Sequence, residues 1–444
     1  MSETSPLLLI VDYNLTRIAD VAHLVRVAHA HHRVDTLLIR AAPGPRDREI
    51  CRYVIDLDPL ADDFVEAAEA ALAPYRARLR AGLVFSDNAV QRGAALLERL
   101  GLPVDSAALA AGAFSKRDYR LAEDAVRTLL DAQRIMAPRS AAIASLADVQ
   151  AFAQAHPAGF VIKPSCEGNN RGVAVVRAGD RLDAAFALVE PYLANGAICE
   201  ALIPYRREYS FDGVGDTAFI TEKVSADGQY PVEVAQILPA RLSVAERASL
   251  SRAGRIANLL VGQRDGPFHN EIKLSDDGTR AAVVEPNRRP AGMKIWTIAQ
   301  AVYAVDFYAL WVDAAFGHPR DVRLEAGSTH AATVMLGVPE DGEFTPPATA
   351  QGEALLAATL AQAAERCGLP ASALHLIEWG WLSPHTRFIP AVARENGDFA
   401  AQACLAVDGA RADIREVVQA VRAAWVAQLA SAGFHVPQSV TLAA

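Results

Sequence analysis

The segment GPFHNEIKLSDDGTRAAVVEPNRRPAGMKI, from Gly266 to Ile295, gathers residue types that can hold a metal ion beside a phosphate. Asp276, Asp277 and Gly278 form a hairpin turn, so one strand carries His269, Glu271 and Lys273 and its partner ends at Glu285 and Asn287. Side chains two positions apart share a face of a strand. Glu285, Asn287 and Arg289 therefore project together if the extended chain continues past Pro286, with Glu271 opposite. Two carboxylates and an amide oxygen are hard donors suited to magnesium, which keeps open positions for phosphate oxygens. The alternative is a surface salt-bridge patch. That accounts for the charges but not for an apolar run, AAVVE, ending in Glu-x-Asn-x-Arg.

Three upstream segments could serve the same chemistry. In GFVIKPSCEGNNRGVAVVR (159–177) two β-rich runs flank a long Gly/Asn tip, and Lys163 closes the incoming strand. Gly168 and Gly172 let a backbone fold over a phosphate chain, and Asn169, Asn170 and Arg171 offer donors to it. A plain flexible hairpin reads the same way. Lys116 falls in the first turn of a helix opened by Ser115 and Asp118, an end whose dipole favours acids. It is either solvated there or shares that end with an anion. Glu200 ends the strand-like ICEAL, and Glu208 precedes alternating Tyr209 and Phe211; a solvated acid is the alternative for each.

The elements that must position these groups follow from periodicity. At 444 residues the chain has room for about three folding units. Its first 110 or so residues alternate short apolar strands (7–11, 34–40, 53–57, 82–86) with helices, which predicts a doubly wound parallel sheet covered on both faces. No GxGxxG follows the first strand and no GxxxxGK[ST] occurs, so that sheet alone implies no nucleotide. The helix beginning at Ser115 should run through Leu121, Val126 and Leu129 and stop before Pro138. Residues 296–316 read as one apolar core helix, and beyond Gly317 strand-rich segments and an amphipathic helix from Ile414 to Leu429 predict an α+β tail.

Composition narrows the function classes. Lys and Arg number 43 against 52 Asp and Glu, a formal charge of -9, which provides no global field for nucleic acid. The N-terminal residues lack the basic region and apolar length of a secretory signal, and no stretch reaches the ~20 apolar residues of a spanning helix. A cytoplasmic protein without a membrane role is the expectation. The five cysteines are scattered and form no CxxC pair, which fits reduced thiols and not structural zinc. His29, His31 and His32 close a helix, where partial positive charge is favoured, and a metal site is the weaker reading.

Lys116, Lys163, the Gly/Asn loop, Glu200, Glu208, Glu271, Glu285, Asn287 and Arg289 follow the order and approximate spacing of the ATP-grasp superfamily. FSKRDYR, VIKPSCEGNNRGV, GPFHNEIKL and EPNRRPAG resemble the carboxylate-amine ligases of the L-amino acid ligase kind, the last matching Glu-x-Asn-x-Arg-x-x-Gly through Gly292. The resemblance covers the chain. It implies an ATP-grasp fold of α/β and α+β class: an N-terminal doubly wound α/β domain over 1–112, a nucleotide-binding and catalytic region over 113–320, and a C-terminal α+β substrate-side subdomain over 321–444. It implies that Lys116 and Lys163 bind the phosphates of ATP under a lid of residues 168–172. Glu200 with the backbone of Ala201 and Ile203 would hold adenine, and Glu208 the ribose. Glu271, Glu285 and Asn287 would coordinate two Mg2+ ions, and Arg289 would steady the reacting carboxylate and its phosphate. The implied reaction joins a small carboxylic acid, an amino acid above all, to an amine through an acyl phosphate, releasing ADP and phosphate. A carboxylate-thiol ligase, a kinase or a non-catalytic ATP-binding module are the alternatives. His269 is a candidate base for the amine, with a structural histidine the stronger reading, and homodimerisation rests on family analogy alone.

Overall fold

The computed structural model describes residues 5–14, 17–168, 171–226, 232–433 and 435–437. The chain divides into two compact units. The first comprises residues 1–220, 242–291 and 306–324, and the second residues 221–241, 292–305 and 325–444.

The first unit opens with a parallel sheet in the order Tyr53–Asp56, Asp35–Arg40, Leu7–Val11, Leu79–Val84. Every residue of Leu7–Val11 is fully buried, as a central parallel strand covered on both faces requires. Helices Ile18–His32, Phe64–Leu72 and Val90–Arg99 supply the cover, and Leu9, Val11, Leu37, Phe64, Leu96 and Leu97 share one core. A second sheet is antiparallel, in the order Ser140–Ile143, Ala197–Ala201, Phe160–Pro164, Ala174–Val176. It packs Phe160, Ile162, Val189 and Cys199 against Phe152 of the helix Leu146–Ala155. A third run pairs Ala281–Glu285 with Pro267–Leu274, and Pro267–Leu274 with Arg207–Val214, all antiparallel, beneath the helix Val244–Leu260. Gly254 of that helix is a close-approach position: a Cβ there would lie 2.3 Å from the Phe211 ring.

The second unit is α+β. Strands Glu233–Leu238, Thr329–Leu336, Ala401–Asp408 and His375–Trp381 pair antiparallel in that order. Helices Thr349–Arg366 and Ile414–Ala432 enclose with them a core centred on Trp425, whose indole N–H donates to the Gly337 carbonyl at 2.8 Å.

Two helix expectations are corrected. The stretch 296–316 is two helices, Ile295–Tyr303 and Phe307–Ala315, because Ala304 takes a left-handed conformation (φ 55°) and the Asp306 carboxylate caps the second by accepting from the Tyr308 and Ala309 N–H groups. The helix after Ser115 likewise breaks at Val126 into Lys116–Ala125 and Arg127–Ala132. In both places uninterrupted apolar periodicity hides a one-residue backbone change. Among the described residues no single helix is long and apolar enough to cross a membrane, and no two cysteines form a disulfide. Burial pushes the Cys199 thiol up to about 12 and Cys51 to about 11, so neither is a nucleophile at neutral pH. His31 Nδ1 and His32 Nε2 lie 3.2 and 2.9 Å from Asp313 Oδ1, while Arg320 holds Asp313 Oδ2 at 2.6 Å.

Candidate active site

Strand register builds the site. Glu208 stands opposite Lys273, Ser210 opposite Glu271 and Asp212 opposite His269, and on its other edge the Glu271 strand sets Glu271 against Glu285. Alternation puts these side chains on one face. A register shift between Glu271 and Ile272, a bulge, falls where the two carboxylates meet. Lys273 Nζ lies 2.8 Å from Glu208, and His269 bridges Asp212 (Nδ1 at 2.6 Å) and Glu271 (Nε2 at 3.5 Å). Burial alone would lower the His269 pKa, but the Asp212 carboxylate overrides it and raises it to about 9. Asn287 donates to the His269 carbonyl at 3.1 Å and to Glu285 at 3.5 Å, which ties the end of the apolar strand to its neighbour.

The two lysines arrive from different elements. Ser115 accepts from the Asp118 N–H at 3.2 Å and starts the helix Lys116–Ala125, which sets Lys116 Nζ 2.9 Å from Glu285 and 2.7 Å from the Glu167 carbonyl. Lys116 therefore shares its helix end with an anion. Burial disfavours its charge, yet Glu285 and Glu271 hold its pKa above the ordinary lysine value. Burial likewise works against the Glu285 carboxylate, and Lys116 outweighs both that and repulsion from Glu271, keeping it below the usual range. Lys163, closing the strand Phe160–Pro164, is buried and points at Glu200, 2.9 Å away. Its pKa is held down by burial and by Arg120 and Lys116 against the pull of Glu200.

Glu200 is buried as well, and it takes a second cation: Arg120 Nε donates to it at 2.6 Å. The same guanidinium pairs with buried Glu123 and donates to the Val283 and Val284 carbonyls at 3.0 and 2.8 Å. One residue thus joins the helix of Lys116, the strand of Glu200 and the strand that delivers Glu285. Burial would raise the Glu200 pKa, but Arg120 and Lys163 bring it down to about 2. A carboxylate whose folded pKa lies below its ordinary 4.5 stabilises the fold fully above that value, and the gain is lost as pH falls through about 2. The shift is worth on the order of 3 kcal/mol. Glu200→Gln should therefore flatten the acid limb between pH 4.5 and 2 in thermal melts; an unchanged limb would show that another group carries it.

Arg289 Nε is held by both oxygens of Asp87 at 2.7 Å, and Arg289 Nη1 donates to the Pro290 carbonyl at 3.2 Å. That carbonyl also accepts from Arg17, which pairs with Asp20 and donates to the Tyr308 hydroxyl at 3.0 Å. In the Gly/Asn loop Arg171 lies 2.7 Å from Glu167, and Gly172 has φ 70° with Tyr192 and Pro164 where a Cβ would sit. Gly168 has open space there. Asn169 and Asn170 lie outside the described residues. The Ala201 N–H already donates to the Arg139 carbonyl at 2.8 Å, and Ile203 follows in the loop after the strand.

No protein-family model matches the chain. Its sequence is similar to the alanine–anticapsin ligases of Bacillus subtilis (25% identical over 251 residues, 51% of this chain and 52% of that protein) and Bacillus amyloliquefaciens (26% over 206 residues, 40% and 43%). The chain thus spans about half the length of the curated relatives it matches. Its fold is similar to the L-amino acid ligase of Bacillus licheniformis, with TM-score 0.72 and 15% identity over 98% of this chain and 100% of that one. It is also similar to N5-carboxyaminoimidazole synthetase of Staphylococcus aureus complexed with ADP, with TM-score 0.65 and 13% identity over 95% and 97%. The chain shares the fold of these solved structures. Within the chain the site includes residues that spacing did not single out: Arg120, Asp87, Asp212 and Arg17. Arg120 had a readable signal, since it stands four residues after Lys116 on one helix face. Asp87 lies just beyond the carboxyl end of the strand Leu79–Val84, where open α/β sheets place ligand-facing groups.

Proposed function

We propose that the chain is an ATP-dependent carboxylate-amine ligase that activates a small carboxylic acid, an amino acid by preference, as an acyl phosphate and couples it to an amine. The observation that carries this reading is the meeting of Lys116, Glu285 and Glu271, with Lys163 behind them and Arg289 two positions past Asn287. A carboxylate cannot expel oxide at neutral pH, so it must first accept a phosphoryl group. In-line transfer demands cations around the phosphate oxygens, which Lys116 and Lys163 supply. Glu271 and Glu285 face each other, with Lys116 against Glu285 and His269 beside Glu271, and this donor set, completed by Asn287, fits a divalent cation. Magnesium held there, as two ions in the fullest form of this reading, would spread the charge of the transferring phosphoryl group.

Gly168, Asn169, Asn170, Arg171 and Gly172 would donate to the phosphate chain, Glu200 with the backbone of Ala201 and Ile203 would hold adenine, and Glu208 the ribose. Arg289 would release Asp87 to hold the substrate carboxylate, then donate to the oxyanion formed when the amine attacks. Phosphate leaves as the amide forms. The reading places the protein in the cytoplasm with small molecules as its partners.

The test is phosphate release from ATP with pooled carboxylic acids and amines, followed by product mass. Release that needs both acid and amine, with an amide of the summed mass less water, is the expected result. Release that needs a thiol, transfer of phosphate to a stable acceptor, or nucleotide binding without release would each replace the ligase reading.

A further inference from the structure

A cavity of about 540 Å³ lies in the first unit, away from the carboxylate pair. Its walls are apolar, formed by Leu83, Val84, Val90, Ala94, Leu97 and Trp311, and one side is closed by Arg288, Gln263 and Asp105. That volume and a few convergent polar groups are the features of a small-molecule site. Arg288 belongs to the EPNRR segment, but its contacts differ from those of the residues on either side of it. Asn287 bonds to the His269 carbonyl and Arg289 to Asp87, whereas Arg288 Nη1 donates to the Ser106 and Val261 carbonyls at 2.6 and 3.1 Å.

The polar side of the cavity is unfinished. Arg288 is 6% exposed, and its charge is held by two backbone carbonyls with Asp105 as the carboxylate that acts on it. Asp105 is engaged elsewhere: its two oxygens accept from the Asp265 and Gly266 N–H groups, each at 2.9 Å. Gln263 is also 6% exposed, and its buried Nε2 has no hydrogen-bond partner. Native proteins rarely leave such a donor unmatched without a ligand or water to receive it. Two under-used donors, one charged and planar, at the edge of an apolar cavity define an acceptor that is a single flat anion on an apolar body. A dianion would be under-compensated, since Arg264, the other guanidinium lining the cavity, is paired with Asp265 at 2.6 Å, and Asp105 and Glu98 line it as well.

We infer that this cavity is a second small-molecule site that takes a monocarboxylic acid with a branched or aromatic body, its carboxylate on Arg288 and Gln263. The shared chemistry admits a simple organic acid or the carboxylate end of an amino acid, and titration separates them. The full-length protein is titrated by calorimetry with 4-methylpentanoate and phenylacetate, with their primary amides, and with leucine and phenylalanine.

At least one acid or amino acid should bind saturably, and its amide at least about tenfold more weakly. Gln263→Met, which keeps the volume and removes the donor, should weaken acid binding about tenfold. Ala94→Phe, which fills the cavity, should abolish it while leaving ATP turnover in place. If Ala94→Phe fails to fold, the amide comparison and Gln263→Met decide. The inference is overturned if no acid binds at millimolar concentration or if acid and amide bind alike. It is equally overturned if the variants bind the acid as the parent does, since the ligand would then occupy the site of Lys116 and Arg289.

Discussion

Replacing Glu285 by Gln should lower ATP turnover by at least about a thousandfold while leaving a cooperative fold. The substitution keeps the shape of the side chain and its place opposite Glu271 but removes the charge that Lys116 faces at 2.9 Å. Both side chains are partly exposed, so the lost pair should cost at most about 1 kcal/mol of stability, and removal of repulsion from Glu271 works the other way. Turnover suffers far more, because a neutral amide neither attracts a divalent cation strongly nor sets the charge around the phosphate oxygens. Phosphate release at saturating acid and amine, alongside a thermal melt, separates the two effects. Turnover within tenfold of the parent, with an intact melt, would remove Glu285 from the proposed metal site.

Replacing Arg120 by Met should destabilise the fold by about 3–5 kcal/mol, the usual cost of leaving buried carboxylates uncompensated. Arg120 is 2% exposed and Glu123 and Glu200 are 1% and 3% exposed, so water cannot take its place. Lys163 would still neutralise Glu200, but Glu123 would lose the cation it pairs with and the Val283 and Val284 carbonyls would lose their donor. Arg120→Lys should recover only part of the loss, since an ammonium cannot span two carboxylates and two carbonyls as a planar fork does. Urea midpoints for the two variants check the order. A Met variant as stable as the parent would show that the network is replaceable by packing, as some buried ion clusters are.

The parts of this molecule that could be read from sequence are those fixed by short-range rules. Complete burial of Leu7–Val11 follows from an unbroken apolar run, and the Glu271–Glu285 pairing from the Asp276-Asp277-Gly278 turn and the period of a strand. The bulge beside Glu271 shifts that register and has no local signature in residue type. Breaks at Val126 and Ala304 were hidden for a related reason, since neither position holds Gly or Pro. Partners brought together by the fold were out of reach altogether: Arg120 meets Glu200 across 80 positions and Arg289 meets Asp87 across 202. Lys116 shows the same limit from the other side. Its place at a helix start was legible, but whether it met water or an acid depended on a strand end far along the chain.

Each cation of the proposed phosphate site already has a resident counter-ion: Lys116 rests on Glu285, Lys163 on Glu200 and Arg289 on Asp87. Admission then amounts to a double ion exchange. Under the proposed reading, Glu285 freed from Lys116 would be left to hold a divalent cation while Lys116 pairs with a phosphate oxygen. Without a cation for Glu285, a phosphate on Lys116 would face that displaced carboxylate, so under the proposed reading the metal-bound nucleotide would be the better fit to the folded chain.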